Sequence, residues 1–180
     1  MKKKIALLFM LLFAIIPLSP QATSGLDTRN EVFDFLKGAY KAQVSLSEKG
    51  RSTEEIKKVL DSFFTDEYQN HFWKENIHKE SGKFLTYGTD FAQYYIPYYQ
   101  FSDETKVVIL PKEIYVFEFF PENTNGPVGF KSHYEGLYIK RIGDNWKVDK
   151  YLYNKIPTDV IKKANISEKV RGKSDRYKVN

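Results

Sequence analysis

The period of the hydrophobic pattern changes once along this chain, at Ser81-Gly82, and that change restricts the fold more than any other feature. Upstream, apolar residues recur every three or four positions, the spacing that lines one side of a helix. Val32, Leu36, Ala39, Tyr40 and Val44 form one such stripe, and Ile56, Val59, Leu60, Phe63 and Phe64 form another. Each is preceded by a capping box, Thr28-Arg-Asn-Glu31 and Ser52-Thr-Glu-Glu55. In such a box the hydroxyl accepts from the third helical amide while the carboxylate reaches back to the cap amide. Gly50 suits the end of the first helix. Thr65 suits the cap of a third, TDEYQNHFWKEN, with Tyr68, Phe72 and Trp73 facing inward.

Downstream the period shortens to two, the repeat of a strand. KVVIL (106–110), EIYVFEFF (113–120), GFKSHYEGLYIKRI (129–142) and WKVDKYLY (146–153) are rich in β-branched and aromatic residues. Pro111 marks a bulge, an edge or a turn between the first two. Gly143-Asp144-Asn145 turns the chain between the last two. In EIYVFEFF one face takes Ile114, Val116 and Glu118, and the other takes Tyr115, Phe117 and Phe119. Both faces are mostly apolar, so this strand is covered on both sides or lines a cavity. Leu137 and Ile139 share a face, while Trp146, Val148, Lys150 and Leu152 alternate along the return strand. One short helical stretch, DVIKKAN (159–165), follows the strands. Helices first and strands after argue for an α+β fold, with two or three N-terminal helices packed on a curved, mainly antiparallel sheet. A concave, cone-like space would lie between them.

The ends of the chain have a different character. MKKK followed by the apolar run IALLFMLLFAIIPL (5–18) and then SPQATSG is the pattern of a secretory signal. The run falls short of the roughly 20 residues needed to cross a bilayer. Cleavage after Ser24 or after Ala22 would remove it; the alternative is an uncleaved anchor. Residues 1–24 are therefore read as the signal, 25–156 as one domain and 157–180 as a basic tail. The chain has no cysteine, so neither a disulfide nor a thiol-linked lipid is available. A domain of this size does without them, because it buries about two thirds of its unfolded surface. This combination suits export by a Gram-positive bacterium, to the medium or the outer face of the envelope.

The net charge of +5 sits at those ends. Lys2, Lys3 and Lys4 belong to the signal, and residues 162–180 carry seven basic and two acidic residues. Residues 25–161 carry 18 basic and 21 acidic residues. A nucleic-acid-binding domain would carry its basic stripe on folded structure, so nucleic acid is not an expected partner. The tail is either solvated or in contact with anionic wall polymers and lipid headgroups. Membrane contact is expected only through the signal segment or that tail.

The final hairpin, GLYIKRIGDNWKVDKYLY, resembles the last hairpin of the nuclear-transport-factor-2-like, or cystatin-like cone, superfamily. The matching positions are Leu137 to Ile142, Gly143 to Asn145 and Trp146 to Val148. With the signal and the helices, it also resembles an uncharacterised family of small exported proteins of endospore-forming Gram-positive bacteria. The resemblance implies a cone fold that hosts enzymes, binding modules and assembly domains alike. Members that do chemistry place acid, base or hydrogen-bonding residues inside the cone. Here His133, Tyr134, Glu135, Tyr115 and Glu118 are in position to do so.

Among residues that could carry chemistry, His133 and Glu135 lie two apart on a strand and therefore point the same way. They could transfer protons, or form a polar pair on the solvent face. His71 and His78 are seven apart, about 10 Å along a helix, too far to share one ion. No HExxH, glycine-rich phosphate loop or Gly-x-Ser-x-Gly elbow occurs. Neither a metal nor a cofactor is expected. The 14 phenylalanines and 13 tyrosines are either core or a platform for sugars. The densest run is FAQYYIPYYQF (91–101), which Pro97 interrupts. If its first half is extended, Phe91 and Tyr95 share one face and Tyr94 takes the other. At least one tyrosine on each side of Pro97 should reach solvent. Tyr94, Tyr98, Tyr115 and Phe117 are the candidate ligand-binding residues.

The reading that follows is an exported, envelope-associated binding or accessory module without catalytic activity, contacting a cell-wall polymer, a peptide or an envelope protein through an aromatic-lined concavity. One alternative is an enzyme of the same fold using His133 and Glu135 on a small apolar or sugar-like substrate. Another is a self-assembly module, a homodimer formed through the sheet face.

Overall fold

Three helices begin where their capping residues stand in the computed structural model, which describes residues 25–88, 92–124 and 129–166. The signal and the chain beyond residue 166 lie outside the described residues. Helix α1 (Arg29–Val44) starts at Thr28, whose amide donates to Glu31 at 2.8 Å in a complete capping box. Helix α2 (Thr53–Leu60) starts at Ser52 with the same reciprocal pair. Helix α3 (Asp66–Asn76) starts at Thr65, which accepts from the Tyr68 amide. Gly50 does not end α1. The helix stops at Val44 and tightens into a 3₁₀ turn, Ser45–Ser47, whose Ser45 carbonyl accepts from buried Arg51 at 2.6 Å. An arginine satisfies the helix end, so no glycine is needed there.

A short hairpin, β1 (His78–Glu80) with β2 (Lys83–Leu85), follows at the point where the period changes. Ser81 and Gly82 both have left-handed φ, 46° and 79°, which suits a two-residue hairpin turn. Its strands are too short to announce themselves by alternation. The main sheet is an antiparallel meander of β3 (Lys106–Ile109), β4 (Glu113–Phe120), β5 (His133–Ile142) and β6 (Asn145–Tyr153), hydrogen bonded in that order. The fold is thus α+β.

The alternation expected along β6 breaks at one residue. Tyr138 pairs with Lys150 but Ile139 pairs with Val148, so Asp149 is an extra residue on the return strand. A bulge of this kind exchanges the two faces beyond it. Tyr151, rather than Lys150 and Leu152, therefore follows Trp146 and Val148 onto the helix side. Asp149 itself is buried and pairs with Lys140 at 2.8 Å.

Ile114, Val116, Leu137, Ile139 and Val148 on the helix-facing side pack against α1, α2 and α3. Helix α2 ends at Leu60, short of Phe63 and Phe64, because that segment joins the sheet. Val148 donates to the Phe63 carbonyl at 2.8 Å and Thr65 donates to the Val148 carbonyl at 3.0 Å. The contact runs parallel to β6 and covers its edge. On the opposite side, Val108 and Phe117 pack under Val160 and Ala164, which lie one turn apart on a helical stretch, α4 (158–166). Strand β4 is thus covered on both sides, as its pattern implied. Gly136 permits this closeness: a Cβ there would overlap the Ile156 side chain and crowd Phe117.

Residues 92–105 have no regular structure, yet Tyr95, Ile96 and Tyr99 within them are core. Buried backbone in such a segment needs partners from elsewhere. Gln43, fully buried on α1, donates to the Tyr94 carbonyl at 2.7 Å and accepts from the Ile96 amide at 2.9 Å. Tyr68 also donates to the Tyr94 carbonyl, at 3.0 Å, and Asn76 donates to the Gln93 carbonyl at 2.8 Å. Glu118 on β4 accepts from the Gln100 amide at 3.0 Å and the Thr105 hydroxyl at 2.6 Å. Arg29 closes the far end, donating to Asp103, Ser102 and Thr105 while lying over the Phe33 ring. Tyr94 has a left-handed φ of 65°, so the first half of the aromatic run is a turn and not the extended segment expected.

Two substitutions probe these arrangements. Gln43→Leu keeps the volume but strands the Ile96 amide and leaves Tyr68 as the remaining donor to the Tyr94 carbonyl, and should lower stability by about 1–3 kcal/mol in urea titration. Gly136→Val should cost about 1–3 kcal/mol through overpacking and expose residues 155–166 to protease before the rest of the chain.

Candidate functional site

The register between β4 and β5 sets Glu118 directly opposite Glu135, both on the helix-facing side. Like charges so placed repel, and the two carboxylates turn apart. Glu118 turns toward residues 100–105 and is 1% exposed, with its donors already named. Glu135 turns the other way. Its Oε1 lies 3.0 Å from His133 Nε2, its side chain remains 21% exposed, and the Tyr151 hydroxyl is bonded to it. One carboxylate is therefore a structural fastening, and the other reaches water.

His133 is 7% exposed and lies on this same side, not on a solvent face. Its Nδ1 is 2.8 Å from the Lys131 carbonyl. A carbonyl only accepts, so Nδ1 carries a proton. The contact between Nε2 and Oε1 needs one more. The pair then holds two protons and is neutral overall, whichever atom keeps the second. Phe120 and Tyr153 stack on the imidazole at 5.5 and 4.8 Å, and Phe130 meets it edge-on. The ring is enclosed, and Glu135 is the member of the pair that solvent reaches.

Tyrosines surround this carboxylate. Burial pushes the Tyr68 phenol well up, with smaller contributions from Tyr151 and Tyr94. Burial does the same to Tyr99, reinforced first by Glu135. Tyr151 is raised by burial and then by the negative charge of Glu135. The Tyr94 ring stacks on His71 with centroids 5.1 Å apart and 9° between planes, and meets Tyr151 at 5.9 Å. The result is a row running His71, Tyr94, Tyr151, Glu135, His133, Tyr153. Its two ends, His71 and Tyr153, are exposed.

The expected site residues are only partly brought together. His133, Glu135 and Tyr94 join this row. Tyr98 is 59% exposed and meets Tyr40 of α1 at 5.8 Å, so one tyrosine after Pro97 does reach solvent. Tyr94, before it, is half-buried. Tyr115 lies on the other side of the sheet beside Tyr138, and Phe117 is buried under α4. Tyr115 and Phe117 share the outer face of β4 while Tyr94 packs on the helix side, so the four candidates line no common concavity. Tyr134 shares that outer face, against Phe117 and Phe119. The row's other phenols, Tyr151 and Tyr153, escape a reading by alternation because the bulge at Asp149 moves them. His71 lies on α3 while His78 lies on β1, stacked on Tyr87. Among the described residues no group of three His, Cys, Asp or Glu side chains could hold a metal ion.

Fold and site together define an α+β domain with a tyrosine-ringed carboxylate at the edge of its core. Residues 28–120, just over half of the chain, match the family described as "Protein of unknown function (DUF3993)", and the chain belongs to that family. The match takes in α1 to β4 and residues 92–105, and stops before β5 and β6. No curated protein and no solved structure matches the chain.

The buried phenols make stability sensitive to alkali. Their raised values mean that the folded state keeps protons which the unfolded state releases near the ordinary tyrosine value of about 10. This contribution is intact below that pH and is lost above it, by about 1.4 kcal/mol per pH unit for each such tyrosine. Urea midpoints measured from about pH 9 to 11.5 should fall steeply. The fall should be shallower in Tyr151→Phe and Tyr68→Phe.

Proposed function

We propose that this protein is an exported, envelope-associated binding or accessory module of the nuclear-transport-factor-2-like cone type, one of the small exported proteins of endospore-forming Gram-positive bacteria. The row around Glu135 is its contact surface. The N-terminal pattern of MKKK and an apolar run supports export. The order of helices followed by an antiparallel meander supports the cone type. The observation that carries a binding role over a catalytic one is the state of the His133–Glu135 pair. Its imidazole is walled in by three rings and its carboxylate is engaged by two neighbours. Neither member of that pair is an uncommitted base.

The enzyme reading retains one supporting observation, the 3.0 Å contact between His133 and Glu135. In that reading Glu135 meets a sugar-like substrate and His133 is the positioning residue that sets its proton.

Sedimentation of the purified chain with Gram-positive cell walls separates these readings. A binding module goes into the pellet and releases no soluble fragments. A chain left in the supernatant overturns the envelope role. Release of soluble sugar that Glu135→Gln abolishes would establish the enzyme instead.

A further inference from the structure

We infer that the row from His71 to Tyr153 binds a neutral carbohydrate chain, with pyranose faces against Tyr94 and Tyr153 and ring hydroxyls bonded to Glu135 and Tyr151. This rests on the binding-module reading and names its ligand.

Three observations carry it. The first is charge. The proton count at His133 and Glu135 leaves the pair neutral as a whole, so a ligand meets polar oxygens there without a net charge to balance. A polyanion finds no unpaired cation in the His133–Glu135 pair, and a cation finds the carboxylate already matched.

The second is the kind of surface. Aromatic faces are weakly negative and attract the weakly positive C–H groups of an apolar sugar face. Phenol hydroxyls and a carboxylate beside them supply the donors and acceptors that a ring of hydroxyls requires. Tyr153 is 48% exposed and His71 is exposed at the other end. A ligand can lie along the row and extend past both ends, which suits a chain better than a compact molecule.

The third is the backbone of Tyr94. A non-glycine residue with a φ of 65° is strained by roughly 1–2 kcal/mol. Gln43 and Tyr68 nevertheless fix its carbonyl from two helices. That conformation delivers the ring between His71 and Tyr151. Strain retained under such constraint is found where a side chain must be aimed.

The test uses the purified chain and a β-1,4-linked N-acetylglucosamine tetramer, followed by titration calorimetry, with a polyol-phosphate polymer as the anionic comparison. The tetramer should bind, with little change when salt screens electrostatic attraction. Tyr94→Ala and Tyr153→Ala should each weaken it about tenfold or more, a loss of about 1.4 kcal/mol. Tyr153 is exposed, so its variant keeps the test valid if Tyr94→Ala does not fold. Tyr87→Ala, an exposed ring outside the row, should bind like the unaltered chain. Binding of the polyol phosphate alone, falling with salt, would overturn the inference. So would tetramer binding that Tyr153→Ala leaves intact. If the unaltered chain pellets with walls but ignores the tetramer, this inference fails and the module reading survives. If the chain does not pellet at all, the module reading has failed.

Discussion

The side-chain amide of Gln43 is the contact on which the rest of the structure depends. It is fully buried, and it serves a carbonyl and an amide two residues apart on an irregular segment. That segment, 92–105, runs between the helices and the sheet without regular backbone pairing, and Tyr95, Ile96 and Tyr99 within it are buried. Tyr68, Asn76 and Glu118 supply the remaining partners. An apolar side chain in place of Gln43, Asn76 or Glu118 would remove the side-chain partner of the Ile96 amide, the Gln93 carbonyl or the Gln100 amide, respectively. The helices and sheet are thus joined by hydrogen bonds to a third component as much as by apolar contact with each other.

That arrangement also sets the electrostatics of the site. Glu118 and Glu135 face one another across two strands, and a sheet alone offers no reason for both to be tolerated. Residues 100–105 draw Glu118 to one side, and His133 with Tyr151 draw Glu135 to the other. The same irregular segment therefore hydrogen bonds one carboxylate and presents Tyr94 on the side of the second. Fold and candidate site thus share the polar contacts that hold Tyr94.

Coverage of the sheet follows from amphipathicity in a less direct way. Strand β4 is apolar on both faces, and each face has its own cover: α1 to α3 on one, α4 on the other. Beside the second cover, Gly136 leaves room for the Ile156 side chain and Phe117. Helix α4 is short, and Val160 and Ala164 are its buried contacts. It seals the centre of the outer face while Tyr115 and Tyr138 remain partly exposed beside it.

Local chemistry was legible without any tertiary information. The caps at Thr28, Ser52 and Thr65, the strand over 113–120, the strand read over 129–142 that begins only at His133, the turn at Gly143 and the shared face of His133 and Glu135 all depend on neighbours a few residues away. Sequence therefore determined the helices-then-meander order and the α+β class. Three things escaped it. The bulge at Asp149 leaves no mark in an alternating pattern, yet it brings Tyr151 and Tyr153 to the site. The left-handed turn at Tyr94 contradicts the residue's own preference and is held by partners 26 and 51 positions away. The separation of Tyr115 and Phe117 from Tyr94 follows from which face the helices cover. Each was decided by tertiary structure, because each balances local preference against contacts that exist only once distant segments have met.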